Sequence, residues 1–223
     1  MRTHNKESQS TITPATALEI LQDGNKRFVN NLKYNRNLLQ QVNETRDGQW
    51  PFAIVLSCID SRTSAELIFD QGLGDIFSVR IAGNIINEDI LGSMEFACKV
   101  AGSKFIMVLG HTKCGAVKGA CDQVEMGNLT TLLSKLQKAV GEESTTKENR
   151  TAANAVFVEN VAAINVHLAI KEIMQRSPIL KEMIDTGEIG ICGGMYNVET
   201  GIVDFYEDAK VINEKKLQAE AML

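Results

Sequence analysis

Two short segments of this chain hold residue types able to bind a soft metal and to handle a proton. SCIDSR, residues 57–62, sets a thiol, a carboxylate and a guanidinium at Cys58, Asp60 and Arg62, and HTKCG, residues 111–115, sets an imidazole and a second thiol at His111 and Cys114. Side chains at i, i+2 and i+4 of an extended backbone share a face, so Cys58, Asp60 and Arg62 are expected to converge while Ile59 and Ser61 point away. Two thiolates and an imidazole make a three-ligand zinc set, and a catalytic zinc keeps a fourth position open for water, whose pKa it lowers to about 7. Asp60 beside that water can accept its proton in a hydrogen bond, provided the carboxylate is kept off the metal. Arg62, always charged and able to grip a carboxylate through two parallel bonds, suits that restraint. The competing reading is an Asp60–Arg62 pair that only closes a loop. A lone His-x-x-Cys pair is weak evidence for metal, and the wide separation from Cys58 is unlike a compact zinc finger. It is the separation expected when two strand ends of one sheet share an ion.

The elements around these segments support that placement. Each segment follows a short apolar run, Phe52–Leu56 and Phe105–Leu109, and Ile76–Ile81 is a further strand between them. Helical stretches over 64–69 and from Asn87 or Asp89 to about Ala101 separate the runs, so the pattern predicts right-handed crossovers and a parallel sheet. Open sheets of this type bind ligands outside the carboxyl ends of their strands, which is where both segments lie. Thr13 and Pro14 read as an N-cap and a first-turn proline opening a helix to about Asn30. Residues 31–50 read as irregular. Beyond the second segment, helix is expected over 115–121 and 128–139, a solvated loop over 141–150, and a long helix over about 151–175, apolar on more than one side. A short helix to Asp185 and two strands, 189–197 and 202–206, complete the chain. The fold class expected is α/β: a mainly parallel central sheet of four or so strands flanked by helices, with an N-terminal helical arm and a C-terminal β extension. Residues 1–12 are read as a mobile tail and residues 13–223 as a single zinc enzyme domain.

Bulk composition narrows the field. The 223 residues are 44% hydrophobic and 23% charged, enough for one domain with a real core. A net charge of -5 and an isoelectric point near 5.3 offer no basic stripe for nucleic acid or an anionic membrane. No stretch approaches the roughly 20 apolar residues of a membrane span, and the start lacks the apolar core of a secretory signal. The odd set of five cysteines is no disulfide framework, so a cytoplasmic, reducing setting is expected, with Cys98, Cys121 and Cys192 read as small buried hydrophobes. His167 reads as a core or interface histidine, His4 as tail, and Lys113 as solvated.

CIDSR at 58–62 together with GHTKCGAV at 110–117 resembles the β-class carbonic anhydrases, whose signatures are Cys-x-Asp-x-Arg and a later His-x-x-Cys. The likeness runs from about Gln49 through Ala120, includes GDIFSVRIAGN at 74–84, and extends loosely to GGMYNVETGIV near the end. It implies zinc, one per chain, held by Cys58, His111 and Cys114, with Asp60 and Arg62 as the catalytic dyad. It implies reversible hydration of carbon dioxide to bicarbonate by attack of zinc-bound hydroxide. Gln49 and Phe77 fall where plant-like members contact substrate, Gln49 by hydrogen bond and Phe77 as an aromatic wall, and Gly115, after the last ligand, is expected to offer a backbone N–H near the substrate. Phe96 replaces a tyrosine of the plant pattern, and Val55 stands where bicarbonate-regulated members carry tryptophan, so the pattern is the non-allosteric one. The basic unit implied is a homodimer or a dimer of dimers, with the leading helix draped over its partner. Two alternatives keep the same metal: hydrolysis of carbon disulfide or carbonyl sulfide, and a non-catalytic zinc protein.

Overall fold

The computed structural model describes residues 3–213. Among them, five strands form one sheet: β1 (Ala53–Ser57), β2 (Ile76–Arg80), β3 (Phe105–His111), β4 (Gly190–Tyr196) and β5 (Val203–Val211). Their order is β2-β1-β3-β4-β5. The first four run parallel, and β5 returns antiparallel to β4 as the expected β extension. Strands covered on both faces read as unbroken apolar runs, and β1 and β3 are buried along their whole length. β2, at the edge, alternates instead. Ser57 pairs with Leu109 in the β1–β3 ladder, so Cys58 emerges beside the last residues of β3, and His111 pairs with Tyr196 of β4. The register alone therefore brings the two chemical segments to one end of the sheet.

Helices cover both faces, as expected. On one side α2 (Pro14–Val29), capped by Thr13 accepting from the Thr16 N–H, lays Ala17, Leu18 and Leu21 against Phe52, Val55 and Phe105. On the other side lie α5 (Glu88–Glu95), α9 (Ala155–Arg176) and α10 (Pro178–Asp185), whose Met94, Val166, Ile170 and Leu180 pack with Ile54, Ile106 and Ile191. α9 crosses the sheet closely, because a Cβ at Gly110 or Gly193 would stand 2.7 Å from a methyl of Val166. Each buried aliphatic contributes about 1.5–3 kcal/mol to this sandwich. The remaining helices are α4 (Ala65–Ile68) between β1 and β2, α6 (Gly115–Cys121) after β3, and α7 (Gly127–Ser134) with α8 (Gln137–Glu142) before α9.

Several local expectations change. Within the stretch read as a mobile tail, α1 (Lys6–Thr11) forms with a capping box between Asn5 and Ser8. Its Gln9 is buried, and the side-chain amide donates to the carbonyls of Pro51 and Ala101 at 2.8 and 2.9 Å. His4 lies edge-on to Phe52. Residues 31–50, read as irregular, include α3 (Leu38–Thr45), opened by Asn37 accepting from the Gln40 N–H. The leading helix lies on the sheet of its own chain. The single helix expected over 128–139 breaks into α7 and α8. The loop over 141–150 is not simply solvated: Glu143 is 2% exposed and the loop folds around its carboxylate. A polar sequence conceals such folding, because its apolar content is low and its stability comes from hydrogen bonds to one buried charge. The end of the described residues falls short of residue 223, so the expected domain limit lies outside them.

Candidate metal centre

Cys58 leaves β1 directly into a turn. The segment after it is not extended, as the i, i+2, i+4 reading required; instead the Thr63 N–H donates to the Asp60 carbonyl at 2.9 Å, and the Arg62 N–H donates to Asp60 Oδ1 at 3.0 Å. The convergence is reached by this side-chain-closed turn. Thr63 Oγ1 adds bonds to the carbonyls of Cys58 and Asp60. Arg80, at the end of β2, donates Nε to the Cys58 carbonyl at 3.1 Å and Nη2 to the Asp60 carbonyl at 2.7 Å, tying the turn to the neighbouring strand. Ile59 is exposed, away from the metal ligand atoms as expected.

His111 is the last residue of β3, and Cys114 is the N-cap of α6. The Sγ atoms of Cys58 and Cys114 and a ring nitrogen of His111 lie within 4.8 Å of one another, and all three residues are buried. His111 Nδ1 is 2.9 Å from the Thr112 carbonyl, which can only accept, so Nδ1 carries the proton and Nε2 keeps its lone pair. Nε2 is buried without a hydrogen-bond partner. An unpaired acceptor beside two thiols is costly in a protein interior and fits a metal ion of the borderline-soft class. The carbonyl on Nδ1 fixes the ring orientation, as such contacts do for metal-binding histidines.

The thiols are inequivalent. Cys58 is pushed well below the usual thiol range, first by a hydrogen bond from the Cys114 thiol and then by the Gly83 N–H, against the opposing effect of burial. Cys114 is pushed up by the same coupling and by burial. The Gly83 N–H reaches Cys58 Sγ at 3.3 Å, and Asn165 Nδ2 of α9 donates to the Gly83 carbonyl at 2.9 Å, holding that residue from its other peptide. Gly83 has φ of 67°, a left-handed conformation that glycine adopts without a Cβ penalty.

Asp60 and Arg62 form a two-bond pair, Nε to Oδ1 and Nη2 to Oδ2, each 2.8 Å. This grip, more than any other influence, holds the Asp60 carboxyl well below the usual range, with the Arg62 N–H and His111 adding to it. Asp60 is thus an ionised, acceptor-only group restrained from the metal ligands.

The expected site residues do not all gather. Cys58, His111 and Cys114 come together, and Asp60 and Arg62 pair beside them. Gly115 follows Cys114 at the start of α6 with nothing within 4 Å of where a Cβ would stand, so a side chain there would meet open space. Gln49 is exposed ahead of β1, and Phe77 lies on edge strand β2, ring to ring with Phe96 at 6.2 Å, in a groove not lined by any of the three ligand residues. Cys98, Cys121 and Cys192 are buried and free, as expected of packing residues, and His167 sits half-buried against Tyr206 and Asp208. Lys113 pairs with Glu199 at 2.6 Å. The reading of the sequence missed Arg80, Gly83, Glu159 and Asn165. Only Gly83 carried a signal, the tight exit of the second strand; the others act through backbone contacts that leave no motif.

Known proteins resemble this chain in sequence and in fold. The family model described as carbonic anhydrase matches residues 53–203, which include both chemical segments, Arg80 and Gly83. The chain is 36% identical over 199 residues to carbonic anhydrase 2 of Mycobacterium tuberculosis, covering 84% of this chain and 90% of that one. It is 33% identical over 193 residues to the carbonic anhydrase of Mycolicibacterium smegmatis, covering 86% and 92%. Among solved structures, the β-carbonic anhydrase CafA of Aspergillus fumigatus superposes with a TM-score of 0.65 at 26% identity, over 77% of this chain and 82% of that one. The β-carbonic anhydrase CcaA gives 0.67 at 25% identity, over 88% and 99%. A match spanning the sheet, both strand ends and the turn between them leaves one assignment: the chain belongs to the β-carbonic anhydrase family.

Proposed function

We propose that this protein catalyses the reversible hydration of carbon dioxide to bicarbonate and a proton, using one zinc ion held by Cys58, His111 and Cys114. The observation that carries the reading is the buried, unpartnered Nε2 of His111 facing two thiols. Zinc with three protein ligands keeps a fourth position and supplies a nucleophilic oxygen at neutral pH. Asp60, ionised and gripped on both oxygens by Arg62, keeps one lone pair free, on Oδ2, and there would accept a hydrogen bond from the nucleophile so that the nucleophile's reactive lone pair faces the carbon. Arg62 keeps the carboxylate from competing for the metal. The backbone N–H of Gly115, in the first turn of α6, would steady the oxygen on which negative charge develops. Burial of the ligand residues excludes bulk water from the metal.

Gln49 and Phe77 are assigned to substrate contact across a subunit boundary, since each is accessible on this chain. A homodimer or a dimer of dimers supplies that boundary, and the exposed Leu32, Leu38, Leu39 and Val42 of the leading arm offer apolar surface for it. Five free cysteines suit a reducing cytoplasm. Among the described residues no helix is long and apolar enough to cross a membrane. A purely structural zinc is disfavoured because no fourth His, Cys, Asp or Glu joins the cluster among the described residues.

The test is zinc content per chain together with stopped-flow hydration of carbon dioxide, for wild type and Asp60→Asn. Zinc-loaded, active wild type is expected, with Asp60→Asn retaining zinc and losing about 100-fold in turnover. A zinc-loaded wild type without hydration activity at alkaline pH overturns the reading.

A further inference from the structure

The two residues between His111 and Cys114 set where the second thiol points. Lys113 carries them through the left-handed region, φ 57°, without being glycine. Such a conformation is strained at a residue with a Cβ and persists where its surroundings hold it. The holding contact comes from α9: Glu159 Oε1 accepts the Lys113 backbone N–H at 2.8 Å. Other contacts on this turn are the Thr112 N–H to the Tyr196 carbonyl at 2.9 Å, the Val198 N–H to Thr112 Oγ1 at 3.1 Å, and the exposed Lys113–Glu199 pair. The Glu159 bond differs from the first two in being charge-assisted, and from all three in gripping the backbone N–H of the strained residue itself.

Glu159 is also anchored from behind. The next residue on α9, Asn160, donates Nδ2 to Glu143 Oε1 at 3.2 Å and to Thr145 Oγ1 at 3.1 Å. Glu143 is buried, paired to Arg150 Nη1 at 2.6 Å and bonded by the Thr146 N–H, and the Arg150 guanidinium lies over the Phe157 ring at 4.5 Å. Phe157 and Val158, the residues before Glu159, are fully buried in the cluster that contains Cys58 and Cys114. A continuous set of contacts therefore runs from the folded 143–150 loop, through adjacent side chains of one helical turn, to the peptide before a thiol ligand.

We propose that Glu159 is a positioning residue for the metal centre: by fixing the left-handed Lys113 peptide from α9, it sets the placement of Cys114 and hence the affinity for the ion. This rests on the reading that Cys58, His111 and Cys114 hold zinc. Partners that orient ligands from outside the coordination sphere typically change metal affinity 10–100-fold when removed. Glu159→Gln keeps a carbonyl-type acceptor at the same reach and isolates the contribution of charge. Glu159→Asp shortens the side chain and withdraws the acceptor while keeping the charge. Lys113→Gly removes the conformational penalty that the contact opposes.

The experiment is competition between full-length protein and a zinc chelator, with the visible spectrum of the cobalt-substituted protein as a report on ligand geometry and urea unfolding of the metal-free protein as a measure of global stability. Glu159→Asp and Glu159→Ala are expected to weaken zinc binding at least about 10-fold and to alter the cobalt bands. Glu159→Gln is expected to stay within about 3-fold of wild type, since it retains the acceptor. Lys113→Gly introduced into Glu159→Ala is expected to recover much of the affinity. Wild-type affinity and spectrum in both Glu159→Ala and Glu159→Asp overturn the proposal, as does an affinity loss that merely tracks a loss of stability in the metal-free protein. If Glu159→Ala does not fold, Glu159→Gln and Glu159→Asp decide the matter between themselves: equal affinities overturn it. A wild-type chain that takes up no zinc overturns the metal reading as well, so the two failures are distinct.

Discussion

Gly83 donates its backbone N–H to the sulfur of Cys58 at 3.3 Å, across the gap between the end of β2 and the end of β1. The contact stabilises the thiolate form of Cys58, a proposed metal ligand, with a donor that no side-chain substitution can supply. It exists because Gly83 is left-handed and because Asn165 holds the same residue through its carbonyl.

Gly83→Ala is expected to break this relationship. The new Cβ would sit 2.9 Å from a methyl of Leu136 and 3.3 Å from Ala116 Cβ, in a backbone conformation that alanine adopts only under strain. A loss of about 1–3 kcal/mol in urea unfolding is expected, with weaker zinc retention in chelator competition.

Arg80→Lys tests the clamp on the dyad turn. One ammonium cannot reproduce a guanidinium fork that spans the carbonyls of Cys58 and Asp60. Turnover in stopped-flow hydration should fall about 10-fold through misplacement of Asp60, with unfolding free energy lowered by no more than about 1 kcal/mol because Arg80 is exposed at its strand end.

Thiol chemistry should be ordered by environment. Burial pushes Cys98 and Cys192 up to about 12 and Cys121 up to about 11, while Cys58 is held low. After zinc is removed by chelation at neutral pH, iodoacetamide labelling mapped by mass spectrometry should find Cys58 modified first and Cys98 and Cys192 modified only on unfolding. Equal labelling of all five would contradict the assignment.

Glu143 gives a pH dependence with a defined sign. Burial opposes its ionisation, but hydrogen bonds from Thr145, Thr146 and Asn160 outweigh it and lower the carboxyl from 4.5 to about 2. A depressed native value means that the contribution to stability is complete above the unfolded value and disappears as pH falls toward the folded one. Glu143→Gln should therefore lower stability by about 2 kcal/mol at pH 7, less than the full cost of stranding a buried charge because Arg150 is partly exposed. The difference from wild type should shrink between pH 4.5 and about 2 in unfolding measurements.

Much of this was legible from residue order. Apolar runs ending at Cys58 and His111 predicted parallel strands delivering ligands to one sheet end, because burial on both faces leaves a strong compositional trace. Thr13-Pro14 marked the start of α2 because capping needs particular side chains at particular positions. Glu143 and Glu159 left no such trace: each acts on backbone N–H groups, which every sequence possesses, and a carboxylate folded inside a polar loop looks the same in one dimension as one in solvent. The turn after Cys58 was read as extended because the alternation of thiol, carboxylate and guanidinium mimics a strand, whereas Asp60 closes a loop with its own side chain. Gln49 and Phe77 were legible only through family resemblance, since neither touches the cluster within its own chain.

The buried amide of Gln9 gives the amino-terminal stretch a role in the integrity of the whole molecule. Its two bonds close off carbonyls at the base of the sheet, at the opposite end from the ligands. A chain clipped by a protease ahead of Pro14, or trimmed there to carry a fusion tag, would melt sooner while its chemistry at the far end carried on, so a preparation could pass an activity assay and still fail on storage.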